Sequence, residues 1–167
     1  MAPLRVLRPG AALALVLVLA APAAAAPDTP AAPAFAARLL DEKRTLDSRA
    51  LIGKKVVVLR FQGSWCKVCT AQAGEIQRLA EKYGPREVEV IGVHVNDTAA
   101  DARAWRRRYK QTYPAALDPG ARIATRFGFK RAPYTVVIDK KGEMVARIDG
   151  SADEARLAKI IEPLLTL

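Results

Sequence analysis

Two cysteines stand three positions apart in "FQGSWCKVC", residues 61–69, and the 167-residue chain contains no others. A pair at that spacing can act as a redox dithiol, supply half of a metal site, anchor a haem or close a structural bridge. A structural zinc site takes about four ligands, whereas the chain offers two Cys and a single His, His94. Covalent haem attachment calls for His directly after the second Cys, and that position is Thr70. A purely structural bridge across two intervening residues closes a very small loop, where the entropy gained is least. The residues favour the redox dithiol, with a structural pair and a metal pair as the lesser alternatives.

The elements around the pair decide what chemistry it can do. "KKVVVLRF" is a β-branched run that reads as a buried strand over residues 55–61. After Cys66 the period changes: Cys69, Ala73, Ile76, Leu79, Ala80 and Tyr83 recur at helical spacing. Cys66 therefore sits at a helix start, where unpaired N–H groups and the aligned peptide dipoles favour negative charge. Only the thiolate attacks disulfides. Lowering a thiol pKa from about 8.5 to about 6.5 takes ~2.7 kcal/mol of differential stabilisation, which a helix terminus and a bond from the second cysteine can supply. Cys69, one turn later on the buried face, titrates later and acts second, so Cys66 is the nucleophile and Cys69 the resolving thiol.

The remaining chain supplies the frame. Phe35–Leu40 and Lys43–Leu46 flank Asp41–Glu42 as a short hairpin, and Gly84-Pro85 stops the helix after the cysteines. "EVEVIGVHV" is a second strand; Thr98 with Asp101 opens a helix bearing Trp105 and Tyr109; "YPAAL" is a weak strand. Asp118-Pro119 reads as a cap and first helical residue, with Gly128 closing that helical turn. "YTVVIDKKGEMVARIDG" is two strands about a turn in which Gly142 can take positive φ. Ser151 and Glu154 suggest a capping box for a last helix carrying Leu157, Ile160, Ile161 and Leu164. The order βαβ, helical insertion, ββα implies an α/β fold with helices on both faces of a sheet.

Residues 1–25 have the order of a secretory signal, with Arg5 and Arg8, an apolar segment over 10–21, then Pro22 and small residues ending at Ala25. A cleaved signal is favoured over a retained membrane anchor, because the apolar run is short for a span of ~20 residues. Residues 26–34 read as a disordered Pro/Ala linker, and 35–167 as one domain. Export places the cysteines where disulfides persist. The net charge is +10, and +8 without Arg5 and Arg8. Much of it lies in "ARAWRRRYKQ", expected to be a solvated helix face; no nucleic-acid motif accompanies it.

"VVVLRFQGSWCKVC" resembles the active-site strand and loop of the thioredoxin superfamily, and with "APYTVVIDKKGEMVARIDG" the chain is similar over residues 33–167 to the TlpA/ResA-like thiol:disulfide oxidoreductases, a redoxin family. The resemblance implies a thioredoxin fold: a central mixed β-sheet flanked by helices, an N-terminal β-hairpin and a helical insertion before a cis-Pro hairpin. It implies that Pro133, after Ala132, is the cis-proline facing the cysteines, where it would block metal capture and leave backbone free to pair with an extended substrate. Trp65, Ala132 and Pro133 would then form a substrate groove, and Lys67 and Val68, between the cysteines, would tune the pair. The chain departs from the family at Arg60, usually Asp or Asn, and at Gln72, often Glu. It departs again at Gln62, commonly aromatic, and at Gly74, usually a kinking Pro. Arg60 either approaches the cysteines and stabilises thiolate or snorkels to solvent. With Gln72 in place, no protein group is assigned to accept the resolving proton. His94 reads as strand-end packing or a surface residue, since related copper chaperones use C-x-x-x-C. The resemblance implies an exported, monomeric disulfide reductase without cofactor or bound metal. It would act on Cys-containing periplasmic proteins, in cytochrome c maturation by analogy, with a membrane thiol donor as its electron source. A thiol peroxidase is the alternative enzyme, although Thr is absent three residues before Cys66. A thioredoxin-fold adaptor or copper carrier is the alternative binding module.

Overall fold

The computed structural model describes residues 29–41 and 44–166, so the expected signal segment lies outside the described residues. Strand β3, Val56–Gln62, forms the centre of a five-stranded sheet, and every residue in it is buried. It pairs in parallel with β4, Val88–Val95, and antiparallel with β6, Tyr134–Ile138. The edges are β5, Ala115–Asp118, parallel to β4, and β7, Met144–Asp149, antiparallel to β6, giving the order β5-β4-β3-β6-β7. Two short strands, β1 (Ala36–Arg38) and β2 (Thr45–Asp47), pair as the expected N-terminal hairpin. This mixed sheet with its hairpin is the arrangement the thioredoxin resemblance implies.

Alternation along β3 divides the interior. Val57, Leu59 and Phe61 enter one core with Phe35, Phe127 and Tyr134, where the Phe61 ring lies 5.7 Å from that of Phe127. Val56 and Val58 enter the other, beneath helices α1 (Lys67–Tyr83) and α4 (Glu154–Ile161), with Ile76, Leu79, Tyr83, Leu157 and Ile161. A strand's period of two therefore sends Arg60 and Gln62 to the α1 face as well. Helix α2, Ala99–Arg108, and the short helix α3, Arg122–Arg126, complete the set.

Several local readings are corrected. Residues 30–32 are not a free linker: Met144 N–H donates to the Pro30 carbonyl at 2.9 Å and Ala32 N–H to the Gly142 carbonyl at 2.8 Å. An Ala31–Glu143 bridge completes this attachment to the β6–β7 turn, where Gly142 takes φ 86°. The basic face of α2 is only partly solvated, because Arg106 is buried and paired with Asp41 at 3.1 Å. α1 does end at Gly84-Pro85 as expected, the chain tightening into a 3-10 turn over Gly84–Arg86 before Glu87 takes the left-handed conformation at φ 62°. Asp118 does stand at the cap position before Pro119, as expected, but that turn is a 3-10 turn over Pro119–Ala121, and the Asp118 carboxylate reaches past it to accept from the N–H groups of Ile123 and Ala124 in α3.

The cap of α4 is Asp153, whose carboxylate accepts from Arg156 N–H at 2.7 Å; Ser151 lies outside the helix and forms no capping box. The reason is competition between two cap candidates two residues apart, and the charged oxygen at the dipole's positive end wins. Asp153→Ala should lower the unfolding free energy by about 1 kcal/mol, with Ser151→Ala within about 0.5 kcal/mol of the parent. Urea denaturation of the two variants measures this directly.

Candidate active site

Where β3 ends, residues Gly63 to Cys66 make a tight turn closed by Cys66 N–H donating to the Gly63 carbonyl at 3.1 Å. Gly63 is required there: a Cβ on it would sit 2.5 Å from the Trp65 indole. Cys66 caps α1, its Sγ accepting from Cys69 N–H at 3.1 Å, and no acidic residue lies in the helix's first turn. The sulfurs of Cys66 and Cys69 are joined as a disulfide. Both cysteines are buried, at 5% and 2% exposure, and pack with Ala73 and Trp105. A thiolate at Cys66 would keep the Cys69 N–H as a charge-assisted bond, which stabilises it over the thiol.

Ala132 packs against this cluster, and the Ala132–Pro133 peptide is cis. The Pro133 carbonyl is already taken by Gly150 N–H at 2.9 Å. Trp65 stands 55% exposed and is fixed at one end, its indole N–H donating to the Val95 carbonyl at 3.2 Å. Lys67 and Val68 are both exposed between the cysteines.

Arg60 does not snorkel. It is 1% exposed; one guanidinium nitrogen donates to Thr135 Oγ1 at 2.8 Å and another to Gln72 Oε1 at 2.7 Å. Gln72 follows Cys69 by three residues on α1, and Thr135 follows Pro133 by two on β6, so the guanidinium ties the two walls together behind the disulfide. Burial pulls its pKa down to about 10, against the opposing pull of Tyr113 and Glu75, so it remains a cation at neutral pH. Gln72 thus accepts from a fixed positive charge where a proton carrier is expected in the family.

The sequence reading missed a second buried network. His94 is fully buried, with Nδ1 2.9 Å from Asp97 Oδ2 and Nε2 3.1 Å from Gln62 Nε2. The Gln111 amide nitrogen donates to the Ala73 carbonyl, which leaves its oxygen to accept from Gln62 Nε2 at 3.5 Å. Gln62 therefore turns its NH2 to His94, whose Nε2 accepts and whose Nδ1 carries the proton toward Asp97. Asp97 in turn accepts from Ser64 N–H and Ser64 Oγ–H, each at 2.7 Å. His94 also meets Trp105 edge-on, with centroids 5.5 Å apart. The available signal was "HVND", in which His and Asp three apart follow a strand and can face one loop. Both His94 nitrogens are engaged. Among the described residues no three His, Cys, Asp or Glu side chains gather as a metal site.

The AhpC/TSA family model matches residues 29–147. The chain is 28% identical over 110 residues to the thiol-disulfide oxidoreductase ResA of Bacillus thuringiensis subsp. konkukian, covering 66% of this chain and 64% of that one. It is 32% identical over 128 residues to the thiol:disulfide interchange protein DsbE of Allochromatium vinosum, covering 76% of this chain and 68% of that protein. A thiol:disulfide interchange protein of the thioredoxin family from Chlorobium tepidum superposes with a TM-score of 0.76 at 21% identity. That match covers 84% of this chain and 99% of that one, and it shows the thioredoxin fold.

The buried imidazole makes stability depend on pH. Burial lowers the His94 pKa, as does the charge of Arg106, against the raising effects of Asp97 and Asp41. For Asp97, burial raises the pKa, but the bonds from His94 and Ser64 outweigh it and the net shift is downward. Below about pH 6.5 the unfolded chain takes up the proton that native His94 refuses, so stability falls as pH drops from about 7 toward the lower folded pKa and levels off beneath it. His94→Asn, which has no titrating group, should flatten that part of the stability–pH curve, measured by urea denaturation across the window.

Proposed function

Because the chain belongs to the AhpC/TSA family, we propose that it is a thiol:disulfide oxidoreductase that reduces disulfides in Cys-containing proteins outside the cytoplasm. The observation that carries the reading is Cys66 at the helix cap, with Cys69 N–H on its sulfur and Cys69 itself within bonding distance. In the reduced state the Cys66 thiolate attacks one sulfur of a substrate disulfide. A mixed disulfide forms and one substrate thiolate leaves. Cys69, deprotonated, then attacks Cys66 Sγ, closing the Cys66–Cys69 bond and releasing the second substrate thiol. Two electrons pass to the substrate, and a dithiol donor must return them.

The exposed Trp65 beside Cys66, with Ala132 and Pro133 across from it, provides an apolar wall for an extended substrate segment. The relatives named ResA and DsbE, together with the signal-like residues 1–25, support export, while a membrane thiol donor and a place in cytochrome c maturation are proposed from the family resemblance alone. Cys69→Ser should trap a mixed disulfide with a substrate protein, visible as a reducible adduct, and Cys66→Ser should form none and lose disulfide reduction. A reduction potential near about −270 mV supports reductase action and one near about −120 mV an oxidant. Hydroperoxide consumption without disulfide exchange would point to a peroxidase instead.

Arg60 is proposed as a tuning residue: a buried cation behind the helix cap favours thiolate over disulfide, which makes the pair more oxidising. Arg60→Asn should raise the Cys66 thiol pKa and move the potential toward more negative values by about 30 mV, equivalent to ~1.4 kcal/mol. Unchanged values for both would reject this role.

A further inference from the structure

The turn that presents Cys66 is gripped by residues at and just beyond the end of β4. Asp97 holds both the Ser64 N–H and its hydroxyl at 2.7 Å, and Val95 holds the Trp65 indole at 3.2 Å. Asp97 is itself aimed by His94 at 2.9 Å, and His94 by Gln62 on the neighbouring strand. The Asp97 side chain is 2% exposed and that of His94 0%, so neither can exchange these partners for bulk water. His94 also lies edge-on to Trp105, which packs on both cysteines and donates to Thr70 Oγ1 at 2.9 Å. One imidazole therefore touches both the holder of the loop before Cys66 and the side chain that backs the disulfide.

We propose that His94 and Asp97 are positioning residues for the Cys66 nucleophile: the Gln62–His94–Asp97–Ser64 chain fixes the turn so that Cys66 Sγ stays on the Cys69 N–H. The physical case is one of register. The Cys66 sulfur gains from the helix terminus only while it stays near the 3.1 Å separation from that N–H, since a hydrogen bond to the charged form lowers a pKa only where it is made. The turn has a closing bond of its own, Cys66 N–H to Gly63, but this bond sets its internal shape and not its place relative to β4. Asp97 supplies that second constraint. A neutral His94 donating from Nδ1 keeps one carboxylate oxygen engaged and so orients the other toward the Ser64 hydroxyl.

The inference rests on the thiol:disulfide exchange reading, yet the thiol pKa reads it without any turnover. The experiment uses the reduced full chain and its His94→Leu, His94→Asn and Ser64→Ala variants. Cys66 thiolate absorbance is titrated against pH, and kcat/KM is measured with oxidised glutathione. His94→Leu removes the donor to Asp97 and should raise the Cys66 pKa by about half a unit or more and lower kcat/KM about tenfold. Ser64→Ala, at a half-buried position that folding tolerates, should move both quantities in the same directions by less. His94→Asn, whose amide N–H can stand in for Nδ1–H, should recover more than half of the loss in each. The proposal is overturned if folded His94→Leu and Ser64→Ala keep the parent's thiol pKa, or if His94→Asn is as impaired as His94→Leu. A parent protein that exchanges no disulfide but shows these pKa shifts would reject the exchange reading and keep the positioning role.

Discussion

A strand buried on both faces has no solvent side to which a polar residue can be sent. β3 is such a strand, and its alternation leaves no freedom: committing Val57, Leu59 and Phe61 to one core commits Arg60 and Gln62 to the face beneath α1. Each must then find partners inside the protein. Arg60 finds Gln72 and Thr135, and Gln62 finds His94 and Gln111. Those partners lie on the elements that surround the disulfide. The polar positions of one strand thus tie helix, strand and loop together at the place where the cysteines sit.

The two networks divide the work. On the β6 side, a permanent cation joins α1 to the strand that follows Pro133. On the β4 side, an imidazole and a carboxylate hold the turn ahead of Cys66. The first is electrostatic, and in the proposed role it would change how readily sulfur carries charge. The second is geometric and decides whether that charge meets the helix's N–H groups at all. Gln72 accepts from the Arg60 guanidinium and Asp97 from His94 and Ser64, so the polar groups around the cysteines are held by fixed partners.

Much of this was legible in the residues. The cysteine spacing, the strand before it and the change of period after it located the disulfide at the head of α1, and β-branched and apolar runs found the sheet. Single-position choices were harder to read. Ser151 and Asp153 are both competent caps two residues apart, and the carboxylate at the dipole's positive end takes the role. Pro30 to Ala32 have no apolar pattern, because their attachment is made of backbone bonds that any residue could form. Arg60 invited two opposite readings because strand parity alone fixes its face but not its depth. His94 read only as packing or surface, and Asp97 not at all, because their link to Ser64, some thirty residues earlier, exists only across the sheet.

The attachment of Pro30 and Ala32 to the β6–β7 turn sets where the chain enters the domain. β6 starts beside Pro133, next to the disulfide, and runs its five residues away from it, about 17 Å at a strand's rise. The turn it reaches is therefore at the opposite pole from the sulfurs. The described chain thus enters the domain at the far pole, with the full length of β6 between its entry and the redox face.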